Sequence, residues 1–425
     1  MSKKLLAAAI AAALVPTAVL AEASNVTMYG RIDYGFMSRG GDNNGLSQNG
    51  RDGRLNDFED GIQGTNRIGF RGSEALGNGL KAIFEFEFGF SGDSGQSFGT
   101  TSNRHSWIGL EGAFGTALGG RVDGARYSFV GQYDPFKNQT VANAGSLFGV
   151  TSGLGQADRA DNAVVYITPE VAPGLKFLAA YTTSLLSEAG SGAIAGQGQD
   201  IENGDTPLYA IAALYNNGPI SFTLDYENLK IKNSGATNAG TTFALNPNTG
   251  AIVGTTTPFS TGSDLEFDLW VVGGSYDFGV AKLSAYYENT KGDNNASKAI
   301  SDGDGWLIGL TIPVTTNFVL KTSYVKANDD ADRDGNGRND SDCKKWGFGG
   351  EYSFSKRTQA YATFAKLSAD SAARCGISKN ATGGSGTGSS GRSGGNSGGR
   401  TGTGNVNVWD RYGGGGAGGR EDPNQ

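Results

Sequence analysis

Arg31, Arg67, Arg104 and Arg121 each stand in the polar phase of a two-residue alternation, and Arg159 opens a further stretch of the same kind. Guanidiniums stay charged and carry fixed N–H donors, so a row of them on one wet wall concentrates positive potential and draws anions. The other reactive side chains do not assemble into catalysis. His105, the single histidine, lies between Arg104 and Ser106, and the alternation of its segment turns it to the outer or subunit-facing side. A hydroxyl nucleophile needs a histidine base with an orienting partner, and a zinc site needs several His or Cys ligands. Neither set is present, so the chain reads as non-enzymatic and without a cofactor.

Two further groups carry chemistry of a structural kind. Cys343 and Cys375 flank one pair of strand-like segments, and in an exported protein a disulfide between them is the favoured reading over two free thiols. The run from Asp329 to Asp342, DDADRDGNGRNDSD, offers Asp332, Asp334, Asn336 and Asp340 at the early positions of a calcium loop. It lacks the closing Glu and any flanking helical pattern, so a solvated acidic surface loop is the stronger reading and weak calcium binding the alternative.

The elements that must position these residues are strands. In Leu80 to Ser91, LKAIFEFEFGFS, the even positions Leu80, Ala82, Phe84, Phe86, Phe88 and Phe90 share one face, and Lys81, Glu85 and Glu87 the other. A soluble sheet would bury the aromatic face under a second layer, but no helical pattern supplies one. Lipid is the remaining cover, and strands of about ten residues, apolar outward and charged inward, suit a closed transmembrane barrel with a watery interior.

The start of the chain agrees with export. Met1 to Lys4 form a basic region, Leu5 to Leu14 an apolar one, and Val19 to Ala21 a small-residue cleavage pattern, so residues 1–21 read as a signal peptide. No later stretch has the roughly 18 consecutive apolar residues of a spanning helix. The 35 Lys and Arg are outnumbered by 42 Asp and Glu, which argues against a nucleic-acid partner. Seventy glycines and 37% hydrophobic residues would suggest disorder in a cytosolic chain. In a barrel only every second strand residue must be apolar.

Fifteen strand-like segments fall between residues 22 and 368, joined alternately by tight turns such as Glu74 to Gly79 and by long Gly-, Asn- and Asp-rich loops. Single-chain outer-membrane barrels have an even number of strands, with the short turns periplasmic and the long loops outside. A sixteenth strand must therefore lie beyond Ser368. Residues 369–404 have a Gly/Ser-rich linker composition, 405–412 (NVNVWDRY) form a short candidate closing strand expected to pair with Val26 to Tyr34, and 413–425 a Gly-rich tail. The alternative is that the gene end has changed and the true last strand is absent.

Six stretches in order carry a family resemblance over roughly Val26 to Lys366: VTMYGRIDYGF at Val26, NRIGFRGSEALGNGLKAIFEFE at Asn66, NRHSWIGLEGAFGTALGGR at Asn103, YDPF at Tyr133, RADNAVVYITP at Arg159 and EYSFSKRTQAYATFAK at Glu351. The chain resembles the trimeric general porins of Gram-negative outer membranes, of neisserial and burkholderial type. The resemblance implies a 16-stranded antiparallel barrel, a homotrimer in outer-membrane lipid and lipopolysaccharide, and passive diffusion of ions and small hydrophilic solutes. It also implies a third loop folded into the lumen. That loop is Ala125 to Asp158 here, and its acids Asp134 and Asp158 would oppose the arginines. The family's usual terminal phenylalanine is missing.

The two-residue period adds an independent reading of the lumen. Val26, Met28, Ile32, Tyr34 and Phe36 turn outward, leaving Tyr29, Arg31 and Asp33 inside; Ile68 and Phe70 outward turn Arg67 and Arg71 in. Trp107 outward places Arg104 inside, and Leu118 and Val122 outward place Arg121 and Asp123 inside. A substrate-specific channel, or a structural or adhesive surface barrel with no open pore, are the alternative functions; measurable single-channel conductance separates the second from both channels.

Overall fold

The structure, a computed structural model, describes residues 25–41, 55–93, 102–151, 159–185, 206–234, 240–245, 252–257, 263–294, 299–329, 342–369 and 402–409. The expected leader, Asp158, Cys375, the calcium-loop candidates Asp332, Asp334, Asn336 and Asp340, most of the linker and the tail fall outside the described residues.

The alternating segments form strands β1 (Asn25–Arg31), β2 (Tyr34–Gly41), β3 (Leu55–Asp60), β4 (Arg67–Gly77), β5 (Leu80–Gly89), β6 (Ser102–Gly112) and β7 (Gly115–Asp123). Two helices follow, α1 (Ala125–Tyr133) and α2 (Gly145–Thr151). The chain continues through β8 (Arg159–Ile167), β9 (Leu175–Ser184), β10 (Leu208–Asn217), β11 (Ile220–Ser234), β12 (Gly240–Leu245), β13 (Ile252–Thr257), β14 (Ser263–Asp277), β15 (Lys282–Asn294), β16 (Ala299–Pro313), β17 (Phe318–Asp329), β18 (Cys343–Ser353), β19 (Gln359–Ala369) and β20 (Gly402–Trp409). Apart from β12 and β13, which form a separate hairpin, all belong to one 18-stranded sheet.

Each strand pairs antiparallel with its sequence neighbour from β4 to β11 and from β14 to β19, with β11 joined to β14. At the start, β1 pairs with β4 and β2 with β3. β1 and β2 are thus two halves of one strand and β3 and β4 two halves of the next, so the 18 segments make a wall of 16 strands. Alternation alone carries the first strand unbroken to Met37 and reads β3 as loop, because LNDFED shows no apolar period.

The break has a physical cause. The Asp33 carboxylate accepts hydrogen bonds from the Gln63 N–H (2.6 Å), the Gly64 N–H (2.8 Å) and the Tyr361 hydroxyl (2.8 Å), and its own N–H donates to Asn66 Oδ1 (2.6 Å). A charged acceptor gathering three donors draws residues 61–66 out of the strand line and into the barrel. Ile62 is consequently fully buried.

Burial is inverted relative to a soluble protein. Met28 (69% exposed), Val26 (65%) and Ile108 (68%) stand outward, whereas Glu87, Asp225, Glu288 and Lys345 are buried inside. An apolar exterior around a charged interior is what a strand wall in hydrocarbon requires. The hairpins at one end are tight, with left-handed φ at Gly218 (+56°) and Gly279 (+80°), where a side chain would be strained.

β20 pairs with β19 over Ala362 to Ala369 and with β2 over Phe36 to Gly41. It therefore bridges the loop-end halves of the wall, and across the turn-end half the second edge of β1 has no strand partner among the described residues. This differs from the expected pairing with Val26 to Tyr34. The strand enters beside Ala369 at the loop end, and eight residues at about 3.3 Å each extend only partway across the hydrocarbon core.

Candidate functional site

The segment after β7 folds inward rather than out into solvent. α1 leaves β7 at Gly124 and lies against β11, β14 and β15, and α2 lies against β16 and β17. Their apolar side chains make the main core: Phe129, Val130, Tyr133, Leu147 and Phe148 pack on Leu269, Val271, Tyr286, Leu307 and Val325 of the inner wall. Phe136, Val141 and Ala142 form a second cluster with Met37, Ile62, Tyr361 and Ala365. Glycines on the wall make this approach feasible. A Cβ at Gly273 would overlap the Tyr133 ring, one at Gly305 the Phe148 ring, and one at Gly309 the ring of Pro135.

Polar contacts fix the loop at both ends and in the middle. At the root the Arg126 guanidinium donates from Nε to Glu288 Oε2 (2.8 Å) and from Nη2 to Glu288 Oε1 (2.7 Å), while the Arg126 backbone N–H donates to Glu227 Oε1 (2.8 Å). Burial alone would lower the guanidinium's pKa, but the carboxylate pair outweighs it and the net shift is upward, so Arg126 stays charged. In the middle Tyr133 Oη bonds Thr223 Oγ1 at 2.8 Å. Further along, Lys345 Nζ donates to the Asn143 carbonyl and to Ser146 Oγ (2.6 Å), and the Thr140 N–H donates to the Ile62 carbonyl (2.9 Å). The loop thus reaches from β7 across to β18 and to the inward kink at residues 61–66.

Asp134 belongs to this scaffold and not to the lumen surface, which corrects its expected role as an acid facing the arginines. It is 2% exposed and accepts the N–H groups of Phe136 (2.9 Å), Asn138 (3.1 Å) and Ala144 (2.8 Å), tying the turn between the helices. Burial pushes its carboxyl above the usual range in spite of those donors and the nearby Lys345 ammonium.

The wall away from the α1 and α2 core is formed by β1 and β4 to β6 and runs on into β7 and β8, which meet the root of α1. Arg31, Arg67, Arg104 and Arg159 all lie on its inner side, and Arg71 joins them, its guanidinium 5.5 Å from the centre of the Tyr29 ring. Arg31 Nη2 donates to Gln63 Oε1 at 3.0 Å. Arg159 lies 5.9 Å from the Tyr127 ring centre on α1, across the lumen side. Alternation places the carboxylates of β5 inward but does not join them to the arginines. Glu87 pairs with Arg67 (3.4 Å) and Arg104, and Tyr29 Oη donates to Glu85 (2.9 Å) and Glu87 (3.1 Å). Tyr29 spans this distance because it lies across Gly69, where any Cβ would meet its ring. The signal for this network is the FEFEF alternation facing the RIGFR strand.

Five orientations are corrected. His105 is inside, with Nδ1 2.6 Å from Glu85 Oε1 and Nε2 2.9 Å from Asp123 Oδ1. Trp107 is also on the inner row, opposite Glu85 and Gly120, because Ile108 and Leu110 set the lipid phase. Arg104 reaches the lumen by a bulge: Glu87 stands opposite His105 and Phe88 opposite Asn103, leaving Arg104 as the extra residue. Arg121 is the third. It stands opposite Ser106, which stands opposite the outward Phe86, and its guanidinium turns to the Asn103 carbonyl (2.8 Å) and the Asp161 carboxylate. Its neighbours Leu118 and Val122 pack inward beside Ala125, the reverse of the expected phase, since α1 gives that part of the lumen an apolar lining.

Level with Tyr29 and His105 this wall therefore carries five guanidiniums and His105 against three carboxylates, Glu85, Glu87 and Asp123, with Lys81 and Glu111 paired nearer the turn end, and it faces a loop whose described acid, Asp134, is sealed away. Such an arrangement gathers charged side chains on one inner wall and, among the described residues, offers no nucleophile–base pair.

Comparison with known proteins agrees with this geometry. The sequence model of the Gram-negative porin family matches residues 7–373. An outer membrane porin protein of Bordetella pertussis is 32% identical over 337 residues, covering 75% of this chain and 74% of that protein. Outer membrane porin protein 32 of Delftia acidovorans is 28% identical over 387 residues, covering 89% and 92%. Among solved structures, an anion-selective porin from Comamonas acidovorans superposes with a TM-score of 0.66 at 23% identity, covering 91% of this chain and 99% of that one. With a 16-stranded wall, an inward loop and a charged lumen, the chain belongs to the Gram-negative porins, outer-membrane β-barrels that form channels for passive diffusion.

Proposed function

We propose that the aqueous path runs between the inward loop and the wall of β1 and β4 to β8, and that it favours small anions. The observation that carries this reading is the surplus of arginine over carboxylate on that wall, with Asp134 withdrawn into the loop. The acidic total does not decide selectivity, because exposed charges more than a Debye length away, about 8 Å at physiological salt, are largely screened. The anion-selective Comamonas protein of similar fold is consistent with the reading. In a salt gradient across a planar bilayer the reversal potential should show anion preference. Arg67→Ala with Arg104→Ala should move it towards cations by freeing Glu87; strong cation selectivity that this double variant leaves unchanged would overturn the proposal.

The same reading makes the protein a channel without catalytic activity: His105 is held between two carboxylates, with no hydroxyl in the position of a nucleophile among the described residues. Assembly as a homotrimer rests on the resemblance to trimeric porins, and contact with lipopolysaccharide on the apolar outer face.

We further propose that Cys343 is linked to Cys375. Cys343 is disulfide-bonded, and the sequence has two cysteines. Peptide mapping without reductant should return one cross-linked peptide containing both; reactive thiol in the unfolded, unreduced protein would refute the link.

A further inference from the structure

Two outward lysines near the loop end of the wall are balanced. Lys230 stands opposite Glu266 with its Nζ 3.1 Å from the carboxylate, and Lys291 stands opposite Asp268. β17 to β19 break this pattern. Lys326 and Lys344 are direct cross-strand partners, and Lys366 lies one strand further on, opposite Trp346. All three face outward, because Val325, Ala327, Cys343, Lys345, Ala365 and Leu367 beside them are buried in the interior. One carboxylate among the described residues answers them, Asp342 Oδ2 at 3.5 Å from Lys326 Nζ.

Like charges directly opposite on a sheet, with Cβ atoms about 5 Å apart, are destabilising unless an anion lies between them. The surroundings identify that anion's carrier. Immediately towards the turn end the outer face is aromatic: the Trp306 and Tyr324 rings are 5.1 Å apart and the Tyr324 and Trp346 rings 4.4 Å, with exposed Phe348 and Phe364 beyond. Aromatic girdles mark the level of a membrane interface, and in outer-membrane barrels the long-loop end faces outside. The lysines therefore sit at the headgroup level of the outer leaflet, above a surface that accepts acyl chains.

We propose that Lys326, Lys344 and Lys366 bind the phosphate groups of an outer-leaflet phosphoglycolipid whose acyl chains lie on Trp346, Phe348 and Phe364. Lysine suits this ligand as a point charge with rotatable donors. The inference rests on the outer-membrane orientation and makes the general lipid contact of the channel specific to one strip of the wall.

The test uses the full chain refolded in detergent, with bound lipid counted by native mass spectrometry. Diphosphorylated lipid A should be retained roughly tenfold or more above its dephosphorylated form, as three lysines near a phosphate surface lead one to expect. Lys326→Gln/Lys344→Gln/Lys366→Gln should abolish that preference, and Lys230→Gln/Lys291→Gln should keep it. Equal retention of both lipids, an unaffected triple variant, or displacement by millimolar inorganic phosphate would overturn the proposal. Loss of oligomer in the triple variant with unchanged lipid retention would instead identify the strip as a subunit contact, and so also overturn it. Bilayer conductance of the same preparations reads the channel function separately.

Discussion

Arg126→Ala should release the root of the inward loop and give a wider, noisier channel with reduced ion preference. The side chain is buried and makes both of its forked hydrogen bonds to Glu288, while its backbone N–H satisfies Glu227. Removing one partner of a buried pair leaves the other as an uncompensated charge, typically at about 3–5 kcal/mol. Here the penalty is compounded, because Asp225 and Glu227 are buried close by on the same wall and Arg126 is the cation among them. The cost falls on the loop and not on the strands, whose backbone ladder does not pass through Arg126. Heat-resistant barrel migration should therefore persist while single-channel conductance rises. The double variant Arg126→Met/Glu288→Leu should regain most of the narrow conductance, since a well-packed apolar pair can replace a buried ionic one. Unchanged conductance and noise in Arg126→Ala would show that the apolar cluster around Phe129, Tyr133 and Phe148 holds the loop by itself.

What is legible in the sequence follows from the period of a strand. One residue in two meets lipid, and where outward residues are large and apolar, as in Leu80 to Ser91, the phase and hence the lumen row are fixed without ambiguity. Alternation misleads where lipid contact and apolarity part company. Trp107 is aromatic but inward, and Leu118 and Val122 are apolar but inward, because a loop inside the lumen creates a second apolar environment that alternation cannot distinguish from the first. Bulges are the other source of error. The extra residue Arg104 on β6, opposite the step from Glu87 to Phe88, lets Arg104 and His105 face the same side, and a bulge between Gly120 and Val122 shifts the register around Arg121. The role of Asp134 is beyond pattern reading altogether. It depends on three backbone N–H groups brought together from residues 136 to 144, a closure that a single Asp before Pro135 does not announce.

Deleting Gly402 to Gln425 should abolish assembly of a heat-modifiable barrel, whereas deleting only Asp410 to Gln425 separates the contribution of β20 from that of whatever follows it. β20 is the element that joins the last long strand to the first: it lies against β19 over eight residue pairs and against β2 over six. Without it β2 and β19 each present an open edge to hydrocarbon, where every unpaired N–H or C=O costs several kcal/mol. Summed over the pairs lost, this exceeds the roughly 5–15 kcal/mol by which folded chains are usually stable. The two deletions divide the wall by height. β20 seals the loop-end half, level with Phe36 to Gly41, and the turn-end half beside Asn25 to Arg31 lies below its last paired residue, Trp409. If β20 is the closing strand, the shorter deletion should still fold, with a lower melting temperature and faster loss of oligomer on heating, while the longer one should not. Normal assembly of the longer deletion would show that β2 and β19 can meet without β20, and would remove Gly402–Trp409 from the barrel wall.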